Sequence, residues 1–182
     1  MEKYWRWNLV NWLIGSSKSE IKIAASSYLE YFHGEITGRP PKLDLADEKI
    51  CQSFLRNAIL KSFVVSSHDI SDGGLAIALA ECCIFSSKGA KIELQNDVYR
   101  YDNLLFAEGG SRIIISIDQL KEKEWINYLK KIQINSQPNV YIKKIGHVSA
   151  ETLKVKIQDK NICNIRVDEL TEKFNNSVSG HL

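Results

Sequence analysis

The stretch FVVSSHDISDGGLAIALAECCIF, Phe63 to Phe85, changes character twice. Phe63-Val64-Val65 is a short apolar run of the kind that makes a buried strand. Ser66, Ser67, His68 and Asp69 break the run, two glycines follow Ser71 and Asp72, and an Ala/Leu-rich segment continues to Phe85. The order reads as strand, glycine-containing turn, helix. A helix starting just past Gly73-Gly74 directs its unbonded N–H groups at the turn, where they can hold an anion. The glycines let the backbone come close to whatever lies there. The same residues also fit a turn without ligand, in which Ser71 or Asp72 caps the helix by accepting from an N–H two or three residues on. Asp69 and Asp72 would repel a bare phosphate, so an anion here needs Mg²⁺ to share it, or the carboxylates turned aside as caps. Spacing alone leaves both readings open.

On either side of this stretch the pattern alternates helices and strands. Ala24 to Phe32 has helical spacing, and Gly34 to Pro41 stops it with two glycines and Pro40-Pro41. That break divides the chain into an N-terminal tail or linker, 1–45, and a main domain, 46–178. Asp47 to Ser62 reads as an amphipathic helix with Ile50, Phe54, Ala58 and Leu60 as its apolar stripe. Gly89 to Leu94 alternates as a strand. Leu104-Leu105-Phe106 is a short helical turn in a connector, and Arg112 to Ile117, with four isoleucines, a buried strand. Asp118 caps a helix to Ile132 whose buried side is Leu120, Trp125, Tyr128, Leu129 and Ile132. Val140 to Val148 and Leu153 to Ile157 are strands, and Asn161 to Ile165 extends the second. Strands and helices mixed in one domain imply an α/β (α+β) layered fold, a mixed sheet with helices packed on it.

Composition narrows the function. At 182 residues the chain can bury one good core. With 24 basic and 22 acidic residues, net charge +2, no domain-wide basic surface for nucleic acid is implied. No apolar run is long enough to span a bilayer and no signal-peptide pattern opens the chain, so the expectation is a cytoplasmic protein without membrane contact. Cys51, Cys82, Cys83 and Cys163 form no Cys-x-x-Cys pair and are expected as free thiols. Trp5, Trp7 and Trp12 cluster near the start. They either pack on the chain's own core or form an apolar patch that another surface, including a second copy, would cover.

HDISDGGLAIALAE, His68 to Glu81, resembles the His-Asp-x-Ser-Asp-Gly-Gly-Leu signature of the C-terminal domain of the aminoimidazole ribonucleotide synthetase superfamily. LLFAEGGSRIIISI, Leu104 to Ile117, resembles the family's Leu-Phe-x-Glu-Ser-Gln-Ser-Arg strand motif, with Gly109 and Gly110 in place of Ser and Gln. Leu13 to Leu45 resembles the segment that ends a strand, passes a Gly-Ser-rich helix start and reaches Pro-Pro before the final domain. Three motifs in the right order make the likeness specific, and Val167 to Val178 resembles the family's terminal helix. Within the superfamily it points to the phosphoribosylformylglycinamidine synthases in their small form, and to a C-terminal portion of one. A selenophosphate or thiamine-phosphate kinase relative fits the Leu13 to Leu45 segment less well.

The resemblance implies an ATP- and Mg²⁺-dependent amidation in purine synthesis: formylglycinamide ribonucleotide, glutamine-derived ammonia and ATP give formylglycinamidine ribonucleotide. It also implies partners: the upstream domains and a glutaminase subunit. The family's catalytic His and principal ATP and Mg²⁺ ligands lie on an earlier domain, so no catalytic residue is expected on this chain and its metal ligands are unassigned. The expected contribution is one wall of a substrate or structural-nucleotide site, built from Asp69, Ser71, Asp72, Gly73 and Gly74 together with Glu108, Gly109, Gly110, Ser111 and Arg112. Chemically, Glu108 can coordinate Mg²⁺ or bond a sugar hydroxyl and Arg112 can pair with a phosphate. Alternatively, Arg112 pairs with Glu108 or Asp69 and ties two loops together. The remaining possibility is a docking domain without ligand, whose glycine turn only starts a helix.

Overall fold

The computed structural model describes residues 5–16, 21–95, 100–134 and 140–179. In chain order the elements are β1 (Leu9–Ser16), α1 (Ser27–His33), α2 (Leu45–Leu60), β2 (Val64–Asp69), α3 (Gly74–Ser86), β3 (Gly89–Leu94), α4 (Tyr101–Phe106), β4 (Arg112–Asp118), α5 (Glu122–Ile134), β5 (Val140–Ser149), β6 (Thr152–Ile157), β7 (Lys160–Arg166) and α6 (Val167–Ser179). The strands make one mixed sheet in the order β2-β4-β1-β5-β3-β6-β7. Neighbours pair antiparallel except β3 and β6, which run parallel.

β1 sits in the middle of this sheet, antiparallel to β4 on one side and to β5 on the other. It belongs to the 1–45 stretch expected as tail or linker. The difference has a physical cause: Leu9 and Leu13 enter one core while Val10, Trp12 and Ile14 enter the other, so the strand is apolar on both faces. Such a run shows no alternation and is hard to tell from a helix turn.

The two faces of the sheet are covered differently. On the first, α3, α4 and α6 cover a core of Leu9, Leu75, Leu79, Cys83, Ile92 and Ile114. On the second, α2 and α5 cover only the β2-β4-β1-β5 half. Trp125 is fully buried there, edge-on to Trp12 with ring centroids 6.1 Å apart and in contact with Phe54 and Phe63. The amphipathic readings of α2 and α5 hold at Phe54, Ala58, Trp125 and Leu129, which are buried. They fail at Leu60 and Leu120, which are exposed: Leu60 is the last residue of α2, and Leu120 lies in a short 3-10 turn, Gln119–Lys121, that Asp118 caps ahead of α5. Trp5 and Trp12 are buried and Trp7 is exposed beneath Lys88, whose Nζ lies 4.8 Å from the ring centre, so the tryptophans pack mainly on the chain's own core.

All four cysteines are free. Burial pushes the Cys51 thiol up to about 11 and the Cys82 thiol to about 12, with smaller contributions from Glu48 and Asp47, and from Glu81, respectively. Both thiols are therefore neutral in the native protein at physiological pH. Because their native values lie above that of an exposed thiol, the stability they contribute is complete below about pH 9 and declines as pH rises toward 11–12, where the unfolded chain has already released the protons. Two outcomes follow. A Cys82→Ala variant shows a shallower loss of stability between pH 9 and 11 than the parent, read by urea unfolding. Trp125→Ala lowers unfolding free energy by about 3–5 kcal/mol in the same assay, as expected for truncating a fully buried aromatic.

Candidate functional site

β2 is an edge strand of the sheet, and its C-terminal end carries His68 and Asp69 to the start of the glycine turn. The His68 Nε2 lies 3.2 Å from Glu81 Oε2 on α3, and Nδ1 lies 2.6 Å from the Asp69 carbonyl. Gly73 and Gly74 both take left-handed backbone angles, φ 73° and 69°. At Gly74 a Cβ would fall 2.7–2.8 Å from main-chain atoms of Leu105, Phe106 and Ala107. The close approach that the glycine permits is thus to the end of α4 in the same chain.

Neither Ser71 nor Asp72 caps α3 with its side chain. The Gly74 N–H donates to the Ser71 carbonyl at 3.0 Å. The Gly73 N–H donates to Glu108 Oε1 at 2.7 Å, and the same carboxylate oxygen accepts from the Ser27 N–H at the start of α1 at 2.9 Å. An anion does sit at this turn, and it is the chain's own Glu108. The carboxylate joins three segments that are distant in sequence: the entry to α1, the turn before α3, and the α4–β4 connection.

The second candidate stretch follows directly. Gly109 is half-buried and Gly110 exposed; a Cβ on Gly110 would lie 2.7 Å from Leu43 Cδ1. Ser111 is buried at φ 61° and its hydroxyl donates to Glu48 Oε2 of α2. Arg112 is buried, and its Nη2 donates to the Ala107 carbonyl. Burial lowers its pKa, opposed by the neighbouring Tyr141. Among the described residues it forms no ion pair with Glu108 or Asp69, so the expected loop-to-loop tie is made by Glu108 to main-chain N–H groups instead. The structure thus brings Gly73 and Glu108 into contact and keeps Gly73, Gly74, Ser111 and Arg112 inside, while Asp69, Ser71, Asp72 and Gly110 face outward. Ser27, Glu48 and Glu81 complete the cluster, and their partners stand 81, 63 and 13 positions away, spacings at which no local pattern operates.

Among the described residues no group of three or more His, Cys, Asp or Glu is placed to hold a metal ion. Asp69 and Asp72 are outward-facing carboxylates. An apolar cleft of about 550 Å³ opens between α2, α5 and β5, lined by Phe54, Tyr128, Leu129 and Ile142 among others; none of the ten candidate residues borders it. No described helix is long and apolar enough to cross a membrane.

The family model for AIR synthase related protein, C-terminal domain, matches residues 11–158. The chain belongs to this family. Among curated relatives, phosphoribosylformylglycinamidine synthase subunit PurL of Prochlorococcus marinus strain MIT 9312 is 78% identical over 178 residues, covering 96% of this chain and 23% of the relative. The same subunit from strain MIT 9301 is 76% identical over 93% of this chain and 22% of the relative. The chain therefore spans about a quarter of the length of these relatives. Among solved structures, Thermotoga maritima PurL complexed with FGAR superposes with TM-score 0.70 at 16% identity, covering 93% of this chain and 29% of that one. PurL of the same organism complexed with ATP gives 0.69 at 15% identity over 93% of this chain and 27% of that one. PurLQS from T. maritima gives 0.67 at 15%, with the same coverages. At these identities the structural likeness is one of fold, and it bears out the layered mixed sheet expected of this family domain.

Removing the Glu108 carboxylate leaves two main-chain donors without their acceptor. Glu108→Ala lowers stability by about 2–3 kcal/mol. Asp72→Ala, at an exposed position without a cap bond, changes it by less than about 0.5 kcal/mol. Urea titration followed by tryptophan fluorescence measures both.

Proposed function

We propose that this chain is a C-terminal portion of an ATP-dependent formylglycinamide ribonucleotide amidotransferase and forms one wall of a site that other parts of the enzyme complete. The observation that carries this reading is 78% identity to a PurL subunit over nearly the whole chain. In that reaction ATP would phosphorylate the amide oxygen, releasing ADP, so that ammonia displaces that oxygen as inorganic phosphate; Mg²⁺ would neutralise the phosphate charge. What this chain's residues supply is shape and charge at the wall. The Gly73 N–H is engaged by Glu108 and the Gly74 N–H by Ser71, so ligand contacts fall to the outward side chains of Asp69, Ser71 and Asp72 and to the backbone at Gly109-Gly110. The two aspartates suit a Mg²⁺ already carried by nucleotide phosphates. Gly73, Gly74, Glu108, Ser111 and Arg112 hold that edge in place from behind. The partners of this reading are the remaining domains of the synthase, a glutaminase subunit and a small ribonucleotide, in the cytoplasm.

A second reading has its own support. The Glu108 carboxylate already fills the anion position of the glycine turn, which favours a purely architectural role for the turn within the same enzyme. Calorimetric titration separates the two. If the wall binds ligand, Mg-ATP or the formylglycinamide ribonucleotide gives heat that an Asp69→Asn/Asp72→Asn variant loses while its melting temperature stays unchanged. No heat from the parent chain leaves the architectural role. In either case the purified chain shows no ATP-dependent turnover of the ribonucleotide, and measurable turnover would overturn the assignment of catalysis to other domains.

A further inference from the structure

Residues 24–38 form a loop that closes on itself and carries α1. At its neck the Ala25 N–H donates to the Thr37 carbonyl at 2.7 Å, and a Cβ on Gly38 would lie 2.8 Å from Ala24 Cβ. Ala25, Gly34 and Gly38 take left-handed backbone angles, φ 54°, 70° and 89°. A compact surface loop with its ends together is an Ω-loop, a form held by its own side chains and often functional. Here Tyr28 packs on Phe32 with ring centres 4.6 Å apart, and Phe32 on Tyr31 at 5.1 Å. No residue of α1 is buried, and every residue from Glu30 to Pro40 is exposed, Tyr31 by 84%.

The neck is anchored on both sides. Ahead of it, the Ile23 N–H donates to Asn103 Oδ1 at 3.2 Å and the Ser26 hydroxyl to the Ile23 carbonyl at 2.5 Å. Past it, the Asp44 side chain caps α2 through the N–H groups of Ala46 and Asp47. The body of the loop is held by less. Among the described residues, its polar and ring contacts beyond the neck are two, both at the end of α4. The Ser27 N–H donates to Glu108 Oε1 at 2.9 Å, and the Tyr28 ring stacks on Phe106 with centres 4.8 Å apart. An element with so little buried apolar contact opens at a lower free energy than the core beside it.

We propose that residues 24–38 are a strap that opens as one body about this neck while the sheet stays folded, and that Glu108 is its latch. Latched, Oε1 is shared between the Ser27 and Gly73 N–H groups. Open, it keeps Gly73 and regains an acceptor position. The strap thereby sets when the Glu108 carboxylate can meet a hydroxyl or a cation at the proposed wall, and this consequence alone rests on that reading. The local geometry offers a way to undo the latch from the strap's side. Ser27 is the first residue of α1, where proline is tolerated, and Ser26 before it is extended, φ −101° and ψ 157°, as a residue preceding proline is. Ser27→Pro deletes the N–H that reaches Glu108 and leaves the Gly73 bond in place.

The test is amide hydrogen exchange, read by NMR on the whole 182-residue chain without ligand, so it stands whether or not the wall binds one. In the parent, the Glu30 to Gly34 amides share one protection factor, about a hundredfold below that of the β1 and β4 amides. Sub-denaturing urea lowers the sheet protection steeply and leaves the strap protection nearly level, because opening the strap exposes little surface. Ser27→Pro and Glu108→Ala each lower strap protection about tenfold, as loss of a charge-assisted bond requires. Ser27→Ala keeps the N–H and stays within about twofold of the parent. Circular dichroism confirms that each variant is folded. Equal protection and equal urea dependence of strap and sheet amides overturn the proposal. So does strap protection that is unchanged in either Ser27→Pro or Glu108→Ala.

Discussion

One carboxylate carries much of this domain's local order. Glu108 Oε1 accepts from the N–H of Gly73 and of Ser27, two donors that open two different helices. The first N–H groups of a helix have no partner within it and carry the positive end of its dipole, so a carboxylate there satisfies a donor and a field together. The bond also explains the geometry around it. For Gly73 to reach Glu108, α3 must begin against the end of α4, and only a residue without a Cβ fits at Gly74. The double glycine and the glutamate 35 residues later form one device.

This arrangement sets the terms for the site. A turn with free donors binds anions by main chain; a turn whose donor is held by an internal carboxylate presents only what projects beyond it. Here that is Asp69, Ser71 and Asp72, a short acidic edge. An acidic edge receives a phosphate only through a cation.

Much of this was legible from the residues, and the parts that were not share a cause. α3, β3 and β4 lie within a residue or so of where periodicity and glycines placed them, because each is specified by its own sequence. β1 was not legible as a central strand, since its apolar residues serve two cores and its partners lie 97 to 137 positions away. The ten candidate residues fall into one neighbourhood as the motifs suggested, but which of them face solvent was not readable. The internal partner of Gly73 and the carboxylate that binds Ser111 both come from long-range pairing, and the same letters, Asp-Gly-Gly, describe a turn with free donors or with occupied ones.

The place of β1 has a consequence for how the domain is assembled. It is the first strand to emerge in the chain, yet both of its neighbours, β4 and β5, come from the second half. Until they arrive its partners in this sheet are missing, and closing such long loops is slow. During that interval the strand keeps Leu9, Val10, Trp12, Leu13 and Ile14, interrupted only by Asn11, in an exposed and largely apolar segment, a sticky edge that invites the wrong neighbour. Shaving it off would be worse: the sheet would part into β2-β4 on one side and β5-β3-β6-β7 on the other, two fragments with raw edges where one continuous ladder had been.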